Sequence, residues 1–309
     1  FLMRKRDFHR LRKSALPVFG LSVLLLAAVL VVGTASHGQK RWMYIGSIGF
    51  QPSEFAKFVL IIFLASICGA AGSMMKKWKG ILLVFLWMMP VAGMVMVTNL
   101  STGIIIMGIA FIIIFTASRQ WLPFFVLMGL GGGFMGIFLK LASYRVGRIE
   151  AWLNVETHPK GYQTRQSLYA IGSGGLFGRG YGKSIQKLAY IPEAHNDMIF
   201  SVICEEWGLL GAGIIAALFI FLIWRCLITA NSAPDIPGAL LTMGVTAHLG
   251  LQMLINIAVA TNSIPNTGIP LPFISYGGSS VMTTMIMFFI IQGIYIRLQK
   301  EGERRSGRK

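Results

Sequence analysis

Acidic residues are scarce in this chain: 11 Asp and Glu among 309 residues, against 28 Lys and Arg, with charged residues at only 13%. An ordinary soluble domain carries about 25% charged residues. A soluble globular fold is therefore excluded, and the 55% hydrophobic content points to an integral membrane protein. Cysteine is also nearly missing. Cys68, Cys204 and Cys226 fall in or beside apolar runs without paired spacing, so they read as packing residues and not as disulfides or metal ligands. No internal repeat, heptad run or low-complexity tract stands out, which excludes solenoids and coiled coils and leaves one membrane domain, 1–309. The net charge of +17 would suit a nucleic-acid binder. Lys and Arg gather instead in short tails and loops beside apolar runs, as the positive-inside rule expects, so no nucleic-acid partner is expected. The chain opens on Phe1 and runs straight into Arg4, Lys5, Arg6, Arg10, Arg12 and Lys13, without the apolar region or cleavage site of a signal peptide. It reads as a fragment.

What is present is a series of apolar runs near 16–34, 54–73, 80–98, 100–118, 121–141, 198–225, 238–261 and 278–296. Each approaches the roughly 20 residues that span a bilayer, so the expected fold is all-α and polytopic, with about eight transmembrane helices. Placing the basic N-terminal segment in the cytoplasm puts Lys76, Lys77, Lys79, Arg119, Arg225 and the tail from Arg297 there too. The same alternation leaves one large extracytoplasmic loop, 142–197. That loop carries Arg145, Arg148, Lys160, Arg165, Arg179, Lys183 and Lys187. Either long loops escape the charge rule, or this one meets an anionic ligand.

Three polar patches interrupt the apolar pattern. The first runs from Lys40-Arg41-Trp42 to Gln51-Pro-Ser-Glu-Phe-Ala-Lys57. There Pro52 suits the first turn of a helix, Ser53 a cap, and Glu54 the positive end of the dipole. Lys57 stands one turn further in, placed to pair with Glu54; Trp42 also fits an ordinary interfacial belt. The second patch, residues 191–208, holds Glu193, His195, Asp197, Glu205 and Glu206 where a polar loop enters an apolar run. The third, residues 261–280, is rich in Pro and Gly and poor in charge. Irregular backbone at membrane depth survives only where protein or a water-filled cavity covers it. The stretch Gly172 to Ser184 ends in Gly-Lys-Ser, but position 177 is Phe where a phosphate-binding loop of the Walker type needs Gly, so nucleotide hydrolysis is rejected. Its glycines leave free amides that could still meet a phosphate. His195 has no second His or Cys at metal spacing, so zinc is not expected.

Together the patches resemble the SEDS family of shape, elongation, division and sporulation proteins (FtsW, RodA and SpoVE). The residues that carry the likeness are Lys40-Arg41-Trp42, Gln51-Pro-Ser-Glu-Phe-Ala-Lys57, Gly161-Tyr-Gln-Thr-Arg-Gln-Ser through Gly175, Ile191-Pro-Glu-Ala-His-Asn-Asp197 and Gly268-Ile-Pro-Leu-Pro-Phe-Ile-Ser-Tyr-Gly-Gly-Ser-Ser280. The resemblance implies ten helices, the first two missing here, in a multi-pass protein of the bacterial cytoplasmic membrane with both terminal segments cytoplasmic. Residues 183–195 look more like the division and sporulation branch. Asn196, Met198 and Asn99-Leu-Ser-Thr depart from the family's usual Thr, Phe and Asp-Leu-Gly-Thr.

The resemblance further implies a glycosyltransferase that polymerises lipid II into glycan strands, with undecaprenyl pyrophosphate leaving and the sugar inverted. Asp197 matches the family's catalytic aspartate and is the expected general base. Trp42, Lys57, Arg41, Glu54, Arg165, Gln163, His195 and Ser275 are the expected substrate-binding residues, with Lys57, Arg41 and Arg165 as charge partners of the pyrophosphate. No tightly bound cofactor is expected, and a divalent cation, Mg or Mn, held by Asp197 with the lipid's phosphates is left open. Expected partners are a class B penicillin-binding protein transpeptidase and other division or sporulation membrane proteins. Two other classes stay open: a lipid II flippase, which intramembrane charge and broken helices also suit, and a non-catalytic scaffold.

Overall fold

The structure, a computed structural model, describes residues 13–36, 39–46, 48–118, 120–140, 143–188 and 190–306. The basic residues 4–12, Gly38, Arg119 and the tail beyond 306 lie outside them. The main helices are α1 (Ala15–Val32), α2 (Pro52–Ala71), α3 (Trp78–Thr98), α4 (Leu100–Ser118), α5 (Trp121–Lys140), α6 (Ser143–Leu153), α7 (Tyr162–Gly174), α8 (Ile199–Asn231), α9 (Ile236–Ala260) and α10 (Gly278–Ser306). Among the described residues, seven helices are long and apolar enough to cross a membrane: α1, α2 with its short 3-10 extension, α3, α4, α8, α9 and the first part of α10. The expected fifth span is helical as α5, although its described apolar stretch, Trp121–Gly133, is shorter. This is a multi-pass membrane protein.

The chain divides into two compact units. One comprises Phe1–Met128, Ile223–Leu249 and Gly278–Lys309, the other Gly129–Leu222 and Gly250–Gly277.

In the first unit, α1 is apolar all round, so its sequence cannot say which side meets protein. The buried stripe is Ala15, Phe19, Ser22, Leu26 and Val29, a helical spacing that leaves the opposite face for lipid. Phe19 stacks on Phe63 of α2 with centroids 3.9 Å apart and planes 12° apart. Between α1 and α2 the chain forms three strands, β1 (Thr34–Ser36), β2 (Gln39–Ile45) and β3 (Ile48–Phe50), paired antiparallel in the order β1-β2-β3. The all-α expectation had no place for this small sheet. Lys40, Trp42 and Tyr44 fall at the two-residue spacing of one strand face. Trp42 and Tyr44 lie on one face, ring centroids 6.4 Å apart, over Gly49, whose missing Cβ makes room for both rings.

The second unit holds the segment expected as one large extracytoplasmic loop, 142–197. Residues 143–174 are largely helical, as α6 and α7 with a 3-10 turn at Pro159–Gly161. Helix α7 buries Ala170 against Ile191, Ala194, Met198, Val202 and Val259. Ser167 Oγ donates to the carbonyl of Ala260, 2.8 Å away, and so satisfies a group at the end of α9.

Helix α8 is broken. At Gly208 the backbone takes φ 67° and ψ −172°, a conformation that glycine adopts without penalty. The apolar run thus opens with a helical piece, residues 199–207, ahead of the break.

Candidate active site

Asp197 lies in the turn just before α8, in the second unit, and only 8% of it is exposed. Three neighbours hold it. Asn256 of α9, itself fully buried, donates from Nδ2 to the carbonyls of Asp197 and Ile269, each 2.8 Å away. Gln163 of α7 donates from Nε2 to Asp197 Oδ1 at 3.3 Å. On the Oδ2 side stands Gly268, where φ is 66° and a Cβ would come 3.6 Å from the carboxylate oxygen.

The orientation of Gln163 is itself fixed. Asn266 donates from Nδ2 to Gln163 Oε1 at 3.1 Å, which turns the Gln163 amide hydrogens towards the aspartate. Arg148 of α6 donates to the Asn266 carbonyl at 3.1 Å, and Trp152 Nε1 to the Asn262 carbonyl at 2.9 Å. Helices α6 and α7 therefore grip the Pro-rich segment, and through it the carboxylate.

That segment lies against the Asp197 turn as irregular backbone, with Ile269, Leu271 and Ser275 buried and Gly268 and Tyr276 exposed. Ser275 Oγ donates to the Asn196 carbonyl at 2.6 Å and accepts from Leu271 N at 2.7 Å. Tyr276 N donates to the His195 carbonyl at 2.8 Å. Ser275 is thus a clasp between two backbone stretches. The His195 side chain is exposed, and Glu193 accepts from Asn196 Nδ2 at 2.5 Å.

Burial pushes the Asp197 carboxyl up from 3.8 to about 6. A backbone hydrogen bond opposes that shift, the negative charge of Glu193 adds to it, and the Gln163 hydrogen bond and the positive charge of Arg148 oppose it. The result is a carboxylate that is ionised at neutral pH yet basic enough to take a proton.

Glu205 and Glu206 do something the sequence could only hint at. Glu205 Oε2 accepts from Ser184 Oγ at 2.5 Å and Gln186 N at 3.2 Å, and its Oε1 accepts from Ile185 N at 3.1 Å. Glu206 accepts from Gly182 N at 3.0 Å and Ser184 N at 3.4 Å, and pairs with Lys187 at 2.5 Å. Of the amides expected to be free for a phosphate, those of Gly182 and Ser184 are taken by the Glu206 carboxylate and those of Gly178 and Gly180 by the carbonyls of Gly174 and Glu206.

The first polar patch lies in the first unit. Gln51 is the N-cap of α2, with no side-chain cap bond, and Pro52 follows at the first turn; Ser53 is two positions too far in to cap. Lys57 and Glu54 form a 2.7 Å ion pair with side chains only 1% and 4% exposed. Glu54 Oε2 has no hydrogen-bond partner among the described residues. Arg41 of β2 donates from Nε to the Thr98 carbonyl at 2.8 Å, at the C-terminus of α3, where a cation also suits the helix dipole. Ser279 bridges Gln51 N at 3.3 Å and the Gly49 carbonyl at 3.2 Å, which ties the start of α10 to this patch.

Of the expected residues, the structure brings Gln163 and Ser275 to the Asp197 turn and joins Glu54 to Lys57. Arg165 is held elsewhere in the second unit, donating to the Glu156 carbonyl with its guanidinium 5.8 Å from the Tyr162 ring centroid. Sequence reasoning missed Asn256, Asn266 and Arg148. A lone Asn within the apolar run of α9 was the available signal, because an amide at membrane depth needs partners.

Among the described residues no group of three His, Cys, Asp or Glu side chains is placed to hold a metal. Asp197 could serve a divalent cation only alongside oxygens that a bound phosphate supplies.

A family model for FtsW, RodA and SpoVE, described as cell cycle protein, matches residues 1–300. Stage V sporulation protein E of Bacillus subtilis is 38% identical over 301 residues, covering 93% of this chain and 80% of that protein. The probable peptidoglycan glycosyltransferase FtsW of Coxiella burnetii is 37% identical over 291 residues, covering 92% and 77%. Among solved structures, a chain from a peptidoglycan synthase complex that coordinates polymerization and crosslinking superposes with TM-score 0.80 at 27% identity, covering 96% of this chain and 85% of that one. Rod shape determining protein RodA of Thermus thermophilus superposes with TM-score 0.69 at 29% identity, covering 95% and 82%.

Proposed function

The chain belongs to the FtsW, RodA and SpoVE family of cell cycle proteins, and from that premise we propose that it is a peptidoglycan glycosyltransferase in which Asp197 is the general base. The acceptor's GlcNAc 4-hydroxyl attacks C1 of the donor's MurNAc as Asp197 takes the hydroxyl proton. Undecaprenyl pyrophosphate leaves, and the configuration at C1 inverts. The observation that carries this reading is a single carboxylate, buried at the mouth of a membrane helix, fixed through its backbone by Asn256 and through Oδ1 by Gln163. Its pKa of about 6 suits a base at neutral pH. Gly268 puts no side chain of its own beside Oδ2, which suits the approach of a sugar hydroxyl.

The departing pyrophosphate needs positive charge. Lys57 is spent on Glu54 and almost wholly buried. Arg148, within electrostatic reach of Asp197, is better placed, with Arg165 and Arg41 as further candidates. A divalent cation, Mg or Mn, bound at Asp197 with the lipid's phosphates would supply further charge to the same group. Trp42 offers an aromatic face to lipid II at the membrane surface. The site faces the outside of the cytoplasmic membrane, with both terminal segments of the chain inside, which supports pairing with a class B transpeptidase and other division or sporulation proteins.

The test is polymerisation of purified lipid II by the full-length protein, comparing wild type with Asp197→Ala and Asp197→Asn. Both variants should be inactive. Wild-type polymerisation by either removes Asp197 as the base, and lipid II translocation without polymerisation by the wild type replaces the enzyme with a flippase.

A further inference from the structure

The inward turn of Glu205 and Glu206 leaves the outer surface of residues 175–188 without an acid, because that stretch contains none of its own. Arg179 and Lys183 are exposed there instead; Arg179 also keeps a long 3.9 Å ion pair to the inward-turned Glu205 and donates from Nε to the Ser173 carbonyl at 3.5 Å. Beside these cations stand large apolar side chains: Leu176 is 59% exposed, Phe177 78%, Tyr181 85% and Trp207 48%. In water such a cluster on a turn would be costly. Its backbone is nevertheless well held. After the break at Gly208, Leu209 N and Leu210 N donate to the carbonyls of Gly175 at 2.9 Å and Leu176 at 3.1 Å. Arg179 N and Gly180 N donate at 2.9 Å to the carbonyls of Glu205 and Glu206. The loop is fastened to α8 at the height of the break, and that height can be estimated. From Gly208 to Arg225, the first cation along α8, is roughly 25 Å at the helical rise. The hydrocarbon core of a bilayer is about 30 Å thick. With the Arg225 backbone at one interface, Gly208 and Trp207 come within about 5 Å of the other. Trp207 and Tyr181 meet there edge to face, centroids 6.5 Å apart, and Trp and Tyr are the side chains that favour this layer.

We propose that residues 175–188, with Trp207, form an interfacial anchor that sinks Leu176 and Phe177 into the leaflet on their side of the membrane and sets Arg179 and Lys183 against the phosphates of anionic lipids. The occupant of this surface is the lipid itself. Apolar side chains at the depth of Leu209 and Leu210, a Trp–Tyr pair at the boundary and an acid-free cationic rim above them match a charged bilayer layer by layer. This inference is independent of the chemistry assigned to Asp197.

The three native cysteines are buried, so single exposed cysteines can carry an environment-sensitive fluorophore. Phe177→Cys and, as a second anchor position, Leu188→Cys are labelled in the full-length protein in phosphatidylcholine nanodiscs with and without phosphatidylglycerol. The exposed Thr157→Cys is the aqueous control. Expected at positions 177 and 188 are quenching by lipid-attached nitroxide several-fold stronger than at 157 and protection from iodide. Adding Arg179→Gln and Lys183→Gln should abolish the phosphatidylglycerol-dependent part of the lipid quenching. Iodide quenching at 177 and 188 equal to that at 157 overturns the proposal. So does shielding from both quenchers, which would mean that protein covers the surface.

Discussion

Asn256, buried near the C-terminal end of α9, holds the backbone carbonyl of Asp197 by a 2.8 Å hydrogen bond. The same amide group holds the Ile269 carbonyl. One side chain at membrane depth thus fixes both the turn that carries the carboxylate and the Pro-rich segment that faces it.

Asn256→Leu removes both bonds and leaves two backbone carbonyls unpaired, at about 1–3 kcal/mol each. The expected outcome is a lower melting temperature and a fall in kcat larger than any change in KM for lipid II. Thermal unfolding in detergent and steady-state polymerisation check it. Unchanged kcat would mean that the carboxylate is positioned by other contacts.

Asp197 predicts a pH profile. As a base it must be ionised, so kcat should fall tenfold per pH unit below about 6 and level off above it. Asp197→Asn should lose roughly 100- to 10,000-fold in rate and the pH limb with it. Stability has the opposite sign. Because the folded pKa is raised from 3.8 to about 6, the group's contribution is fully present below 3.8 and is lost as pH rises through about 6. The melting temperature of Asp197→Asn should therefore exceed that of the wild type at pH 8 by a margin that closes on acidification.

For the Glu54–Lys57 pair, breaking one side is expected to cost more than removing both. Lys57→Met strands a buried carboxylate, at about 3–5 kcal/mol. The double variant Glu54→Gln with Lys57→Met should recover most of the melting temperature. If activity recovers too, the pair serves the fold alone; activity that stays lost would assign Lys57 to the substrate.

Glu205→Gln places an amide donor among the donors Ser184, Ile185 and Gln186. Hydrogen exchange at residues 184–186 should accelerate, with a stability loss of about 1–3 kcal/mol. Glu205→Asp, which keeps the charge but withdraws it by one methylene, should give a smaller change at the same amides.

The membrane helices were legible in the sequence because length and hydropathy decide them: the runs near 80–98 and 100–118 correspond closely to α3 and α4, separated by Asn99 alone. The break in α8 was not, since Gly208 is one glycine among 36 and its φ is set by the loop carbonyl it must pass. The helices α6 and α7 were hidden by polarity, because their apolar positions are few and their stability comes from tertiary contacts such as Trp152 with the Asn262 carbonyl. At the site, Asp197 and Gln163 were visible as motif residues. Asn266 and Arg148 act on the carboxylate through Gln163 and through charge, over sequence separations that no local pattern encodes.

The amides of Gly182, Ser184, Ile185 and Gln186 already hold anions, and those anions are covalently part of the chain. A bound phosphate can be diluted away or displaced; a tethered carboxylate cannot. The shape of this stretch should therefore be indifferent to cellular phosphate or nucleotide.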